Sequence, residues 1–405
     1  MMSTLTCATV ATVGLALAGC VEHQAGVTGT QSIGVELVSP ADPGAIDRRL
    51  AEGLRTVTIN LTAYDADNQL DPTVDRDVLV YVQYLGTLTP TPDFTSLMPA
   101  SGAPQKIHMT AGQAMQQVVT LPPAVLGPTT LWIDDGDPKS PNRTFAVGTS
   151  PVLWFRDPFI SDIQTPPDET KIDALQVSPL QNKQVAVSAS RYGSKGRLVV
   201  TSVFAQGYTV SDVQCQDDAG TPPCTTAPYD HIEVFSSSAP RDQNGKLLQQ
   251  GQVIDGFSGG ISEFNGLTEV GFPVTFATSD AVTPDRQPAP VKLDKATWFS
   301  ALGNPQGIIN FERNEAAPIE IDGAKVCPLD DAYDRFKEWK IDPMGTCASN
   351  ASIIDVVTAG VIGDLDPSTL VGKTLPRVVG VLRPYEGNGN IWIIYPRSSA
   401  DLTLQ

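Results

Sequence analysis

The sequence predicts an all-β chain, with an immunoglobulin-like sandwich followed by two OB-like five-stranded barrels. Three observations predict it. Apolar and polar residues alternate in many short runs, the period of a strand with one wet face. Glycine, proline and aspartate separate those runs, and the 405 residues include 34 Gly and 33 Pro, a supply of turn-formers suited to many short strands. The region beyond residue 170 also repeats one succession of strand-like runs twice.

The first set of runs falls between residues 34 and 164: GVELVS, TVTINLTAYDA, DVLVYVQYLG, QKIHMT, MQQVVTL, TTLWIDDGD and VLWFRD. Seven such strands in about 125 residues match the strand density of an immunoglobulin-like sandwich. No cysteine pair or strand-C tryptophan marks a true immunoglobulin domain, so the expectation is one of architecture. The stretch AIDRRLAEGL at 45–54 is the one predicted helix in this part. A proline-rich segment, TPPDET at 165–170, then separates the sandwich from the repeated region.

The first copy of the repeat occupies 171–290 and reads RLVVTSVFAQG, YTVSDV, HIEVFSS, KLLQQGQVIDGFSGGISEFNG and LTEVGFPVTF. The second occupies 305–405 and reads APIEIDGAKVC, EWKIDP, IIDVVT, TLVGKTLPRVVGVLRPYEG and NIWIIYPRSSADLTL. Each has a strand pair, a third strand, a glycine-bearing connection, a long bent strand and a last strand. That is the order of a small OB-type barrel, in which glycines and bulges let long strands curl. Gly256, Gly259 and Gly260 stand where the first copy needs that bend.

Two phrases carry a resemblance. ISEFNGLTEV at 261–270 and WIIYPRSSADLTL at 392–404 resemble stretches of the OB-fold segments that accompany bacterial secreted nucleases and lamin-tail proteins. In those segments a phrase like GVSEFNGLTEL precedes the fifth strand, and PRSxxDI closes the last. The resemblance extends over about residues 170–404 and implies a β-barrel accessory module. It does not by itself imply nuclease activity: the chain has no catalytic nuclease domain, and both copies carry cysteine-bearing insertions.

The N-terminus predicts where the protein works. No charge precedes Cys20, and Thr6 to Ala18 is a small, apolar run of signal-peptide length, shorter than the roughly 20 residues a bilayer span needs. Leu17-Ala18-Gly19-Cys20 resembles the lipobox of bacterial lipoproteins, in which cleavage precedes a cysteine that receives a diacylglycerol. The expectation is a signal peptide over 1–19, acylation of Cys20, and a polar tether over 20–33. Val21, rather than Asp, resembles the outer-membrane sorting pattern of some Gram-negative bacteria. The expected location is the bacterial envelope, in the outer membrane facing the periplasm or the surface, with the bilayer as a partner through acylated Cys20. With Cys7 removed and Cys20 lipidated, an even four cysteines remain. In an exported protein they predict the disulfides Cys215–Cys224 and Cys327–Cys347.

Function is less legible. A formal net charge of −18 disfavours phosphate backbones and anionic headgroups, and leaves nucleic acid an unfavoured partner. The second copy still offers Arg377, Arg383, Tyr385, Trp392, Tyr395 and Arg397, a mixture of cations and stacking rings such as a single-strand site requires, although rings within strands usually pack in the core or on the sheet face and the surrounding loops are acidic. Only His23, His108 and His231 are present, without a G-x-S-x-G elbow or an H-E-x-x-H helix, and no pattern pairs two carboxylates as in a glycosidase. The expectation is therefore no enzyme activity and no cofactor. Asp65, Asp67 and Asp71 begin like a calcium loop, although its sixth position is Leu70 and no Glu falls at the twelfth. Asp134, Asp135 and Asp137 and the pair Asp330 and Asp331 form further acidic turns. The leading functional expectation is a non-catalytic, lipid-anchored module binding another envelope protein or a polysaccharide. The alternative is an accessory or remnant of a secreted nuclease system that binds single-stranded nucleic acid.

Overall fold

The computed structural model describes residues 30–85, 104–122, 125–135, 146–170, 177–299, 305–348, 352–385 and 391–404. The fold is all-β, with 45% strand and 11% helix. The signal peptide, Cys20 and most of the tether lie outside the described residues.

The N-terminal part contains β1 (Ser32–Ser39), β2 (Thr56–Tyr64), β3 (Arg76–Tyr84), β4 (Gln105–Met109), β5 (Gln113–Thr120), β6 (Pro128–Asp134), β7 (Val147–Thr149) and β8 (Leu153–Trp154). They form two antiparallel sheets, β1-β2-β5 and β4-β3-β6-β7, with β8 beside β6. Strand alternation builds the sandwich: Val57, Ile59 and Leu61 of β2 share one buried core with Val78 and Val80 of β3 and Leu131 and Ile133 of β6. The edge at β5 is capped from the other sheet. Gln105 donates through Nε2 to Val118 O at 2.7 Å, and its Oε1 accepts from Thr120 N at 3.1 Å.

The helix expected over 45–54 does not form. Ala45 and Arg48 close a turn through reciprocal backbone bonds of 2.9 and 3.1 Å, and Leu50 N donates to Trp154 O at 2.7 Å. A helix would align Ile46, Leu50 and Leu54 on one face. Instead Leu50 and Leu54 pack on the sandwich core while Ile46 is exposed. The tertiary bond to β8 outweighs a local propensity that is only a weak prior. A short helix, α1 (Ile160–Gln164), leads out of the sandwich instead.

The first repeat comprises β9 (Gln184–Val187), β10 (Gly196–Phe204), β11 (Gly207–Gln214), β12 (His231–Phe235), β13 (Val253–Ile254), β14 (Gly256–Phe264) and β15 (Leu267–Phe276). Their order is β13-β10-β11-β12-β15-β14-β9, antiparallel except for the parallel pair β12–β15. The sheet curls so that β9, which precedes β10 in the chain, pairs with β14 at the far edge. Gly256 permits that crossing, since a Cβ there would lie 2.3 Å from Val187 O. The β14–β15 turn is Asn265-Gly266, both at positive φ, as a two-residue hairpin of this hand requires.

The second repeat comprises β16 (Val291–Lys292), α2 (Lys295–Trp298), α3 (Pro305–Glu312), β17 (Pro318–Val326), α4 (Asp331–Phe336), β18 (Glu338–Asp342), β19 (Ile354–Val357), β20 (Thr374–Tyr385), β21 (Ile391–Tyr395) and β22 (Leu402–Thr403). Five strands close a barrel in the cyclic order β17-β18-β19-β21-β20-β17, again with one parallel pair, β19–β21. Its core contains Ile319, Ile321, Trp339, Ile341, Val378 and Ile394. Leu293 and Trp298 join this core, so the segment between the two expected barrels packs with the second.

Both predicted disulfides are present, Cys215–Cys224 and Cys327–Cys347. The second loop is held by Asp342, whose carboxylate accepts from Met344 N, Thr346 N, Cys347 N and Ser352 Oγ at 2.6 to 2.8 Å. Burial pushes this carboxyl up, but its donors, Cys347 N foremost, outweigh that and hold it below the ordinary carboxylate range.

Candidate functional site

The basic and aromatic residues of the second repeat do not form one face. Trp392 points inward, 4% exposed, and stacks on Phe311 of α3 with ring centroids 5.0 Å apart. Arg377 Nε meets Glu320 Oε2 at 2.8 Å, and Arg397 makes a two-pronged pair with Asp401 at 2.9 Å. Arg383 Nη2 meets Glu233 of the first repeat at 2.8 Å and lies over the Tyr395 ring, which in turn meets Phe204 edge-on. The backbone of Tyr385 ends β20, and its side chain is outside the described residues. Each of the other five is thus engaged inside the protein, two of them at the junction between the repeats.

That junction covers a polar stripe. The register sets Thr209 opposite Glu233 and Ser211 opposite His231, so all four side chains share one outer face, and all are at most 2% exposed. Ser211 Oγ lies 2.7 Å from His231 Nδ1, and Thr201 Oγ1 lies 3.0 Å from Thr209 Oγ1. A serine beside a histidine evokes a nucleophile and its base. Here burial and, secondarily, the Arg191 charge hold His231 down to about 3, and neither side chain reaches solvent. Burial pushes Glu233 up to about 7 against the pull of Arg383. Nearby, Glu315 accepts from Thr268 N at 3.0 Å and from Gln164 Nε2 at 3.2 Å. Burial, then the charges of Glu312 and Glu263, holds its carboxyl well above the ordinary range.

The acidic turns have local roles. Asp65 Oδ1 accepts from Asp67 N and Gln69 N, both at 2.9 Å, and Asp71 accepts from Thr73 N, Thr73 Oγ1 and Thr30 Oγ1. Asp135 pairs with Arg76, and Asp330 caps α4 through Ala332 N. Among the described residues no group of three His, Cys, Asp or Glu side chains is arranged to hold a metal ion. His108 sits between Asp75 and Asp77 at 2.9 and 3.0 Å on the exposed side of β4, and the hydrogen bond to Asp77 leads in raising its pKa.

A cleft of about 410 Å³ opens on the outer face of the first repeat, where β12 ends and β15 diverges from it. Gly260 and Gly271 line it beside Ser262 and Glu269, and Phe235, Phe272 and Ser236 stand around it. Phe272 is 92% exposed with φ +50°. The cause is a bulge: Ser258 pairs with Val274 and Gly260 with Gly271, leaving Phe272 and Pro273 opposite the single Gly259. Gly259 must be glycine, since a Cβ would fall 2.6 Å from Gly271 O. Phe264, Val274 and Phe276 are also exposed on this hairpin. The cleft escaped the sequence reading. The signal was the broken alternation at Gly271-Phe272-Pro273, where a proline interrupts the ladder.

Among the described residues no helix is long and apolar enough to cross a membrane. No family model matches the chain, and no characterised protein or solved structure matches it.

Proposed function

We propose that this chain is a lipid-anchored envelope protein, carrying an immunoglobulin-like sandwich and two OB-like barrels, that acts as a non-catalytic binding module for another envelope protein or a polysaccharide. Support for the anchor comes from Leu17-Ala18-Gly19-Cys20 at the end of an uncharged leader. Support for the OB-like assignment comes from the order 1-2-3-5-4 in both repeats, each with its third and fifth strands parallel. Support for the immunoglobulin-like assignment is the two-sheet packing alone.

The observation that carries the binding role is the exposed apolar hairpin β14–β15 beside the cleft. Phe272, Val274 and Phe276 are exposed in succession along β15, and exposed apolar surface marks interaction sites. The single-strand reading is less favoured, because Arg377, Arg383, Trp392, Tyr395 and Arg397 are engaged in internal pairs and core. Affinity isolation of the acylated protein from cross-linked envelopes tests the proposal. An envelope protein or polysaccharide should be recovered, and Cys20→Ala should move the protein out of the membrane fraction. Recovery of a nuclease, or single-strand binding that persists at about 0.15 M salt, would replace this reading with the nuclease-accessory one.

A further inference from the structure

We propose that the cleft beside Phe272 seats a basic side chain, an ammonium or guanidinium group, of the partner protein. The proposal deepens the binding-module reading and rests on it. Parallel pairing places Glu233 of β12 next to Glu269 of β15 on the same outer face. Two carboxylates there share one cation, Arg383, and Arg383 is bonded to Glu233. Among the described residues the one hydrogen bond to the Glu269 carboxylate comes from a hydroxyl, Ser262 Oγ at 3.3 Å. Half-buried and lining the cleft, Glu269 is a carboxylate with a neutral partner where a ligand's cation would be its counter-ion.

The apolar part of the cleft fits the same ligand. Phe235 and Phe272 line it, and an aromatic face attracts a cation by about 0.5–2 kcal/mol, most where water is excluded. The serine hydroxyls and Pro273 leave room for the aliphatic stem of a lysine. The bulge that projects Phe272 keeps a large apolar side chain in water and in the left-handed region, neither of which the barrel core requires. A neutral sugar could stack on Phe272, but it would leave Glu269 without a counter-ion. An anion would meet Glu269 and the field of a chain with net charge −18.

The experiment uses the full acylated chain in detergent micelles, titrated calorimetrically with a short blocked lysine peptide, its Nε-acetylated counterpart, and a neutral maltooligosaccharide. The lysine peptide should bind at least about tenfold more tightly than the acetylated one, and Phe272→Ala and Glu269→Gln should each weaken it about tenfold. Asp334→Asn on α4 makes the same charge change away from the cleft and should leave binding unaltered. Equal binding of both peptides, no binding of the lysine peptide, indifference to Glu269→Gln, or preference for the sugar would each overturn the proposal. If a protein partner is still recovered from envelopes while the lysine peptide fails, the cleft assignment falls and the module reading stands. If the peptide binds and no partner is recovered, the reverse holds.

Discussion

Phe272 is the residue whose conformation and chemistry conflict most. A non-glycine residue at φ +50° costs roughly 1–2 kcal/mol over glycine, while glycine loses about 0.5–1 kcal/mol more on ordering. With a side chain 92% exposed, little burial offsets that cost. Phe272→Gly should therefore leave stability unchanged or raise it by up to about 1 kcal/mol in urea unfolding, while weakening lysine-peptide binding about tenfold. A loss of several kcal/mol would instead make Phe272 a packing residue. Trp392 is the opposite case. Its residue type left both core packing and a stacking surface open, and it shares the inward phase of β21 with Ile394 and meets Phe311. Trp392→Ala should lower stability by about 3–5 kcal/mol, read from the same unfolding curves. A change under 1 kcal/mol would place Trp392 at the surface instead. Residue type was legible in the sequence; side was not, because a core tryptophan and a stacking tryptophan read alike.

At the scale of elements, most strands were legible. LTEVGFPVTF is β15 from first residue to last, and Gly256, Gly259 and Gly260, expected at the bend, lie within β14, where a Cβ at Gly256 or Gly259 would meet backbone oxygen at 2.3 or 2.6 Å. Period and turn chemistry are local properties, so a single sequence carries them. What failed was set by distant partners. AIDRRLAEGL has helical spacing but is drawn out by Trp154 O, and β7 gains its place by pairing with β6 and by close approach to Ile33 of β1. The cleft is of this second kind, since it needs a bulge in β15, a glycine in β14 and the end of β12 together. Gly259 is the testable joint. Gly259→Ala would press a Cβ toward Gly271 O and should destabilise by about 1–3 kcal/mol, closing or displacing the bulge. Gly53→Ala, where a Cβ meets nothing within 4 Å, should stay within about 0.5 kcal/mol. Equal effects at the two glycines would mean that β14 and β15 separate at no cost.

Across the whole molecule, the two repeats meet through groups that burial holds away from their ordinary protonation, so their junction should govern the response to pH. Glu233 is raised from 4.5 to about 7; the folded state holds a proton that the unfolded chain releases, and this contribution is complete below pH 4.5 and lost as pH rises through about 7. His231 is lowered from 6.5 to about 3; its contribution is present above 6.5 and lost as pH falls toward 3. Between 4.5 and 6.5 the two slopes oppose each other. Glu315, also raised, and Asp212 and Asp355, each raised to about 6, add to the Glu233 side, so stability should decline as pH rises through this window and on its alkaline side. Arg383 sets the size of that alkaline limb, being the cation bound to Glu233. Arg383→Met would strand a buried carboxylate, at a cost of about 3–5 kcal/mol once it is ionised near pH 8. Near pH 5 Glu233 carries its proton, so the same substitution should cost markedly less. Adding Glu233→Gln removes the charge that Arg383 served, and should recover most of the loss near pH 8 and little of it near pH 5. Urea titrations of the two single variants and the double variant at both pH values measure this coupling directly. A cost for Arg383→Met that is independent of pH, with no recovery in the double variant, would mean that the repeats are joined by packing alone.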